Sequence, residues 1–156
     1  MRQVFGRGLA AAVIVVVVSF GLVACGGSDK KSGDTLSKSE LATKATTICK
    51  AATEKGNKIQ TPSNLADANA AAAYFTKLVD LTQKQTDDLK ALNPADDIKT
   101  DWDAYIAQQQ KATDLLKRTR DAAKSKDVSG LTNFQTEAPQ IQKDTDAAGA
   151  KVGVNC

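Results

Sequence analysis

The chain has 156 residues, 42% of them hydrophobic and 25% charged, which suits one modest domain. It contains no histidine, so a His-based catalytic triad and a His-ligated metal site are excluded. One Trp, two Tyr and four Phe leave little for an aromatic ligand cage, and 10 Gly with 3 Pro are too few for a loop-rich or collagen-like chain.

The first segment reads as an address. Arg2 and Arg7 make a basic start, with no acid before Asp29. Leu9–Ala24 is almost wholly apolar. At about 16 residues it is shorter than the ~20 of a membrane-spanning helix and fits the apolar region of a secretory signal peptide. The segment closes on Leu22-Val23-Ala24-Cys25-Gly26.

That closing sequence resembles the lipobox of bacterial lipoproteins, with basic start, apolar run, small residue and Cys in the required order. The resemblance implies that Cys25 receives a diacylglyceryl thioether, that cleavage follows Ala24, and that the body lies outside the cytoplasm. Two or more acyl chains anchor a protein stably where one holds it only marginally. Loss of residues 1–24 removes two arginines and no acid, leaving the body near neutral. A near-neutral body argues against nucleic acid, whose binding relies on neutralising several phosphates.

With Cys25 acylated, Cys49 and Cys156 remain. An even remainder in an oxidising compartment reads as one disulfide, which would close a loop of about 100 residues and contribute up to ~4.7 kcal/mol in the chain-entropy model. Free thiols or an intermolecular bond are the alternatives.

Gly26–Thr35 is polar and Gly/Ser-rich, a flexible spacer. Ser37-Lys38-Ser39-Glu40 then matches a capping box, and Leu41, Ala45, Ile48, Ala52 and Ile59 follow at helical spacing, predicting a first helix over 38–58. Thr61-Pro62-Ser63-Asn64 breaks it. A second helix starts near 65–67 and runs to Leu92, with Ala71, Phe75, Leu78, Thr82, Gln85 and Leu89 inward. Asn93-Pro94 ends it.

Asp96 and Asp97 are placed to cap a third helix, whose inner face carries Ile98, Trp102, Tyr105, Ile106, Ala112, Leu115, Leu116 and Ala123. Lys117–Lys126 is a basic cluster at its C-terminal end. Asp127–Gly130 reads as a turn, and a fourth helix over about 130–150 has Leu131, Phe134, Ile141, Ala148 and Val152 as core candidates. Pro139 is expected to kink or divide it. No segment alternates with period two. The expectation is an all-α antiparallel four-helix bundle, up-down-up-down, divided as 1–24 signal peptide, 25–36 lipid-attached spacer and 37–156 bundle.

The order of lipobox, spacer, first-helix Cys, Leu-Asn-Pro-Ala-Asp junction and C-terminal Cys also resembles small helical lipoproteins of high-GC Gram-positive bacteria. That resemblance implies a fold and a location and carries no activity.

Chemistry is sparse. Without His the commonest general base is missing, and no Gly-rich phosphate loop or EF-hand pattern occurs. Asp97 and Asp101 share a helix face but read as solvated charge. Tyr74 and Phe75 on the second helix and Trp102 and Tyr105 on the third could line an apolar pocket, although aromatics at helical spacing usually bury as core. The expectation is a monomeric, membrane-anchored extracytoplasmic lipoprotein. It is read as a non-enzymatic interaction module, with no cofactor or metal and an unknown protein, lipid or cell-wall partner. The alternative is a carrier of a small apolar or lipidic ligand between the helices. An envelope enzyme is the third reading.

Overall fold

Four amphipathic stripes become four helices in the computed structural model, which describes residues 35–155. The apolar N-terminal segment, Cys25 and Cys156 lie outside these residues. The helices are α1 (Lys38–Gly56), α2 (Ala68–Lys90), α3 (Asp96–Ser125) and α4 (Val128–Val152). The fold is an all-α four-helix bundle, and among the described residues no helix is long and apolar enough to cross a membrane.

The starts of the helices show which side chains satisfy the free N–H groups. At α1 the Glu40 carboxylate accepts from the Ser37 backbone N–H at 3.0 Å and from the Ser37 hydroxyl at 2.6 Å, and these two bonds hold its pKa below the usual range. At α2 Asp67 accepts from the N–H groups of Asn69 and Ala70. The third helix departs from the expectation. Its N-cap is Ala95, without a side-chain cap, and Asp96 and Asp97 occupy the first turn. Their charge therefore acts on the helix dipole and not as a capping bond. The α3–α4 turn is also tighter than expected. Lys126 takes a left-handed conformation (φ 59°), Asp127 caps α4 through the Ser129 N–H, and Val128–Gly130 are already helical.

Pro139 does not divide the fourth helix, which runs unbroken from Val128 to Val152. It sits on the exposed side, so the carbonyl it leaves unpaired can bond to water. Gly153, in the left-handed region at φ 76°, ends the helix.

The third helix is the centre of the bundle. It packs along both α2 and α4, whereas α1 leans on α2 and barely meets α4. The chain ahead of α1 is tied into this frame. Leu36 N–H donates to Asn93 O at 2.7 Å, and Ala95 N–H donates to Leu36 O at 3.0 Å. Leu36 is buried, so this last residue of the sequence-assigned spacer packs with the bundle, against the α2–α3 junction.

The core forms two clusters. At the end where the chain enters, Leu36, Leu41, Ala45, Cys49, Leu89, Ile98, Trp102, Tyr105, Ile106, Val152 and Val154 pack together. At the other end Ala71, Ala72, Phe75 and Ala123 form a smaller cluster, with Tyr74, Leu78, Leu116, Leu131 and Phe134 against it. Each large side chain fully buried here stabilises by ~1.5–3 kcal/mol. The first cluster holds most of them.

Candidate functional site

Between the two clusters the inner positions carry small or polar side chains. Thr86 and Thr113 are buried face to face from α2 and α3, with hydroxyl oxygens 3.3 Å apart. Each hydroxyl also donates to the carbonyl four residues earlier, which satisfies its proton without a partner across the bundle. Thr53, Thr82, Ala112, Ala138, Thr145 and Gly149 are too small to fill the space they face. They line a cleft of about 350 Å³ that also takes in Gln85, Tyr105, Gln109, Leu115, Phe134 and Ile141.

This cleft explains why α4 is less buried than its sequence pattern suggested. Of its expected core residues, Val152 is fully buried, while Leu131, Phe134, Ile141 and Ala148 are half-buried. Phe134 and Ile141 form cleft wall in place of close-packed core.

A hydrogen-bonded chain crosses the cleft floor. Gln109 Nε2 donates to Tyr105 Oη at 2.8 Å. Tyr105 Oη lies 3.6 Å from Cys49 Sγ, and Gln85 Nε2 donates to the same sulfur at 3.5 Å. Cys49 is disulfide-bonded, so its sulfur has no proton and Tyr105 is the donor. Burial raises the Tyr105 pKa above its ordinary value. The Gln109 bond works against that rise, and the Asp146 carboxylate adds to it.

The four aromatics singled out from sequence do not converge on one site. Trp102 and Tyr105 are 2% and 1% exposed in the first cluster, their rings 5.5 Å apart. Phe75 belongs to the second, edge-on to Tyr74 and to Phe134. Of the four, Tyr105 lines the cleft. Its wall also includes Gln85, Gln109, Phe134, Gln142 and Asp146, none of which the sequence singled out as a site residue. Only the inward register of Gln85 hinted at them.

The basic cluster on α3 is partly compensated. Arg118 forks onto Glu137 of α4 at 2.7 and 3.3 Å, Arg120 onto Asp121, and Lys117 reaches Asp114 at 3.5 Å. The Arg118 bond holds the Glu137 carboxyl below the usual range. These pairs offset three of the cluster's five positive charges, those of Lys117, Arg118 and Arg120. Among the described residues, no group of three or more His, Cys, Asp or Glu side chains is placed to hold a metal ion.

No family model, curated protein or solved structure matches the chain.

Proposed function

We propose that this protein is a lipid-anchored, extracytoplasmic binding module, not an enzyme, that takes a small amphiphilic molecule into the cleft between its helices. The observation that carries the reading is the cleft itself. Its walls mix apolar side chains (Leu115, Leu116, Phe134, Ile141) with carboxamides and hydroxyls already oriented by hydrogen bonds. Such groups fix the orientation of a ligand without carrying out proton transfer. The anchor is the diacylglyceryl group on Cys25, inferred from the Leu22-Val23-Ala24-Cys25 motif. Pairing of Cys49 with Cys156 fits this compartment. It is supported by Val154, two residues from Cys156, which is buried in the cluster that holds Cys49.

Native mass spectrometry of freshly purified protein tests the ligand reading. The expected spectrum contains an adduct that disappears in Ala138→Phe, a substitution that fills the cleft. A bare polypeptide mass from every preparation would refute it. Labelled palmitate tests the anchor, which requires incorporation into wild type and none into Cys25→Ser.

A second reading, a protein contact, rests on a different feature. Leu65 (44% exposed) and Val128 (73% exposed) lie together at the end of the bundle opposite Leu36. A partner docked there would protect both from solvent in hydrogen-exchange measurements on intact cells' envelopes.

A further inference from the structure

The charge inside the cleft points to the kind of ligand it takes. Among its lining residues only Asp146 is charged, and no Lys or Arg contributes to the wall. The Asp146 carboxylate is held by Gln142 Nε2 at 2.7 Å and is close enough to Tyr105 to disfavour a phenolate there. One proton of each carboxamide at the floor is engaged, since Gln85 Nε2 donates to Cys49 Sγ and Gln109 Nε2 to Tyr105 Oη. Their oxygens remain as acceptors. The hydroxyl protons of Thr82 and Thr145 are likewise taken by the carbonyls of Leu78 and Ile141, which leaves oxygen lone pairs facing outward. The polar side of the cleft therefore mixes acceptors with the remaining carboxamide N–H donors, and its one charge is negative. The apolar side is made by Leu115, Leu116, Phe134 and Ile141.

From this we infer that the cleft selects amphiphiles with a cationic head, an ammonium or quaternary ammonium group on a short apolar body, and discriminates against anionic ones. The inference rests on the ligand-binding reading above and adds the sign of the ligand's charge. An anion in the same position would face the like charge of Asp146, which stands exposed at the edge of the cleft. A neutral alcohol of equal length can donate one hydrogen bond to these oxygens but has no charge to pair with Asp146.

The test compares three probes with the same six-carbon tail: hexyltrimethylammonium, 1-hexanol and hexanoate. The full chain is held in phosphatidylcholine nanodiscs, which keep its apolar N-terminal segment in solution, and its two tyrosines carry fluorine. Tyr105 reports the cleft, and Tyr74, on the outer cluster, serves as the internal control. The expected result is a Tyr105 shift that saturates about two- to fivefold earlier with the ammonium than with the alcohol, the size of an exposed ion pair. Hexanoate should bind weakest, and Asp146→Asn should abolish the preference for the ammonium over the alcohol, the ion pair being lost. If the alcohol and the ammonium move Tyr105 equally, or Asp146→Asn leaves their ratio unchanged, the charge preference is overturned while the cleft remains a binding site. If none of the three probes moves Tyr105, the binding reading fails with it.

Discussion

Gly130 marks a close approach of α4 to α3, and replacing it tests whether that contact sets the geometry of the turn. A methyl built at Gly130 would lie 2.4 Å from Ala122 Cβ and 3.3 Å from the Asp127 carboxylate that caps α4. Apolar carbons rest ~3.5–4.0 Å apart, so Gly130→Ala requires the helices to separate by more than 1 Å or so at this end. Overpacking of this kind costs ~1–3 kcal/mol. The opposing term is the helix preference of Ala over Gly, ~0.5–1 kcal/mol. Separation wins, and the expected net loss is about 0.5–2 kcal/mol, roughly 2–10 °C in Tm for a domain of this size. In the Ala122→Gly background the clashing methyl is gone; the residue 122 Cα at 3.7 Å is an ordinary contact, and the Asp127 carboxylate oxygen at 3.3 Å belongs to an exposed side chain that need give by only a few tenths of an ångström. There Gly130→Ala should be neutral or stabilising. The sign of its effect should thus reverse between the two backgrounds, measured by urea unfolding followed by helical circular dichroism. A stabilising Gly130→Ala in wild type, or additive effects in the double variant, would refute the close-approach argument.

Three other outcomes follow from the same structure. Pro139→Ala should stabilise the protein by ~1–3 kcal/mol, because it restores a hydrogen bond within an exposed, otherwise continuous helix; a loss in the urea midpoint would show that Pro139 is needed for packing. Tyr105 has a raised pKa in the fold, so its contribution is intact below the unfolded value of ~10 and declines as pH rises from there through the folded value. Stability measured from pH 9 upward should fall less steeply in Tyr105→Phe than in wild type. Reduction of the Cys49 disulfide should cost about 2–5 kcal/mol, read as a drop in thermal midpoint with dithiothreitol; Cys49→Ala should show no further drop with the reductant.

The helices were legible in the sequence because burial on one face imposes a three-and-four spacing, and the stripes through Leu41–Ala52, Ala71–Leu89 and Ile98–Ala123 keep it cleanly. The capping box at Ser37 and the breaks at Pro62 and Pro94 are local chemistry, which a sequence states directly. Two misjudged boundaries, Asp96/Asp97 as caps and Val128–Gly130 as turn, share a cause. An acid next to a helix start can cap it or sit in its first turn, and that choice depends on where the preceding chain is held. Here Leu36 fixes Asn93 and Ala95 from outside, through bonds between residues nearly 60 positions apart.

The sequence by itself determined that the chain is helical, how many helices it has and which faces turn inward, since these follow from the spacing of apolar residues along a short stretch. Only the tertiary structure decided that the inner faces do not close completely. A Thr, Ala or Gly at an inward position reads the same whether its neighbours crowd in or stand apart. The cleft exists because Thr53, Thr82, Ala112, Ala138, Thr145 and Gly149, drawn from all four helices, face one another at one level of the bundle. Volume left empty is a property of that meeting, and no single helix encodes it.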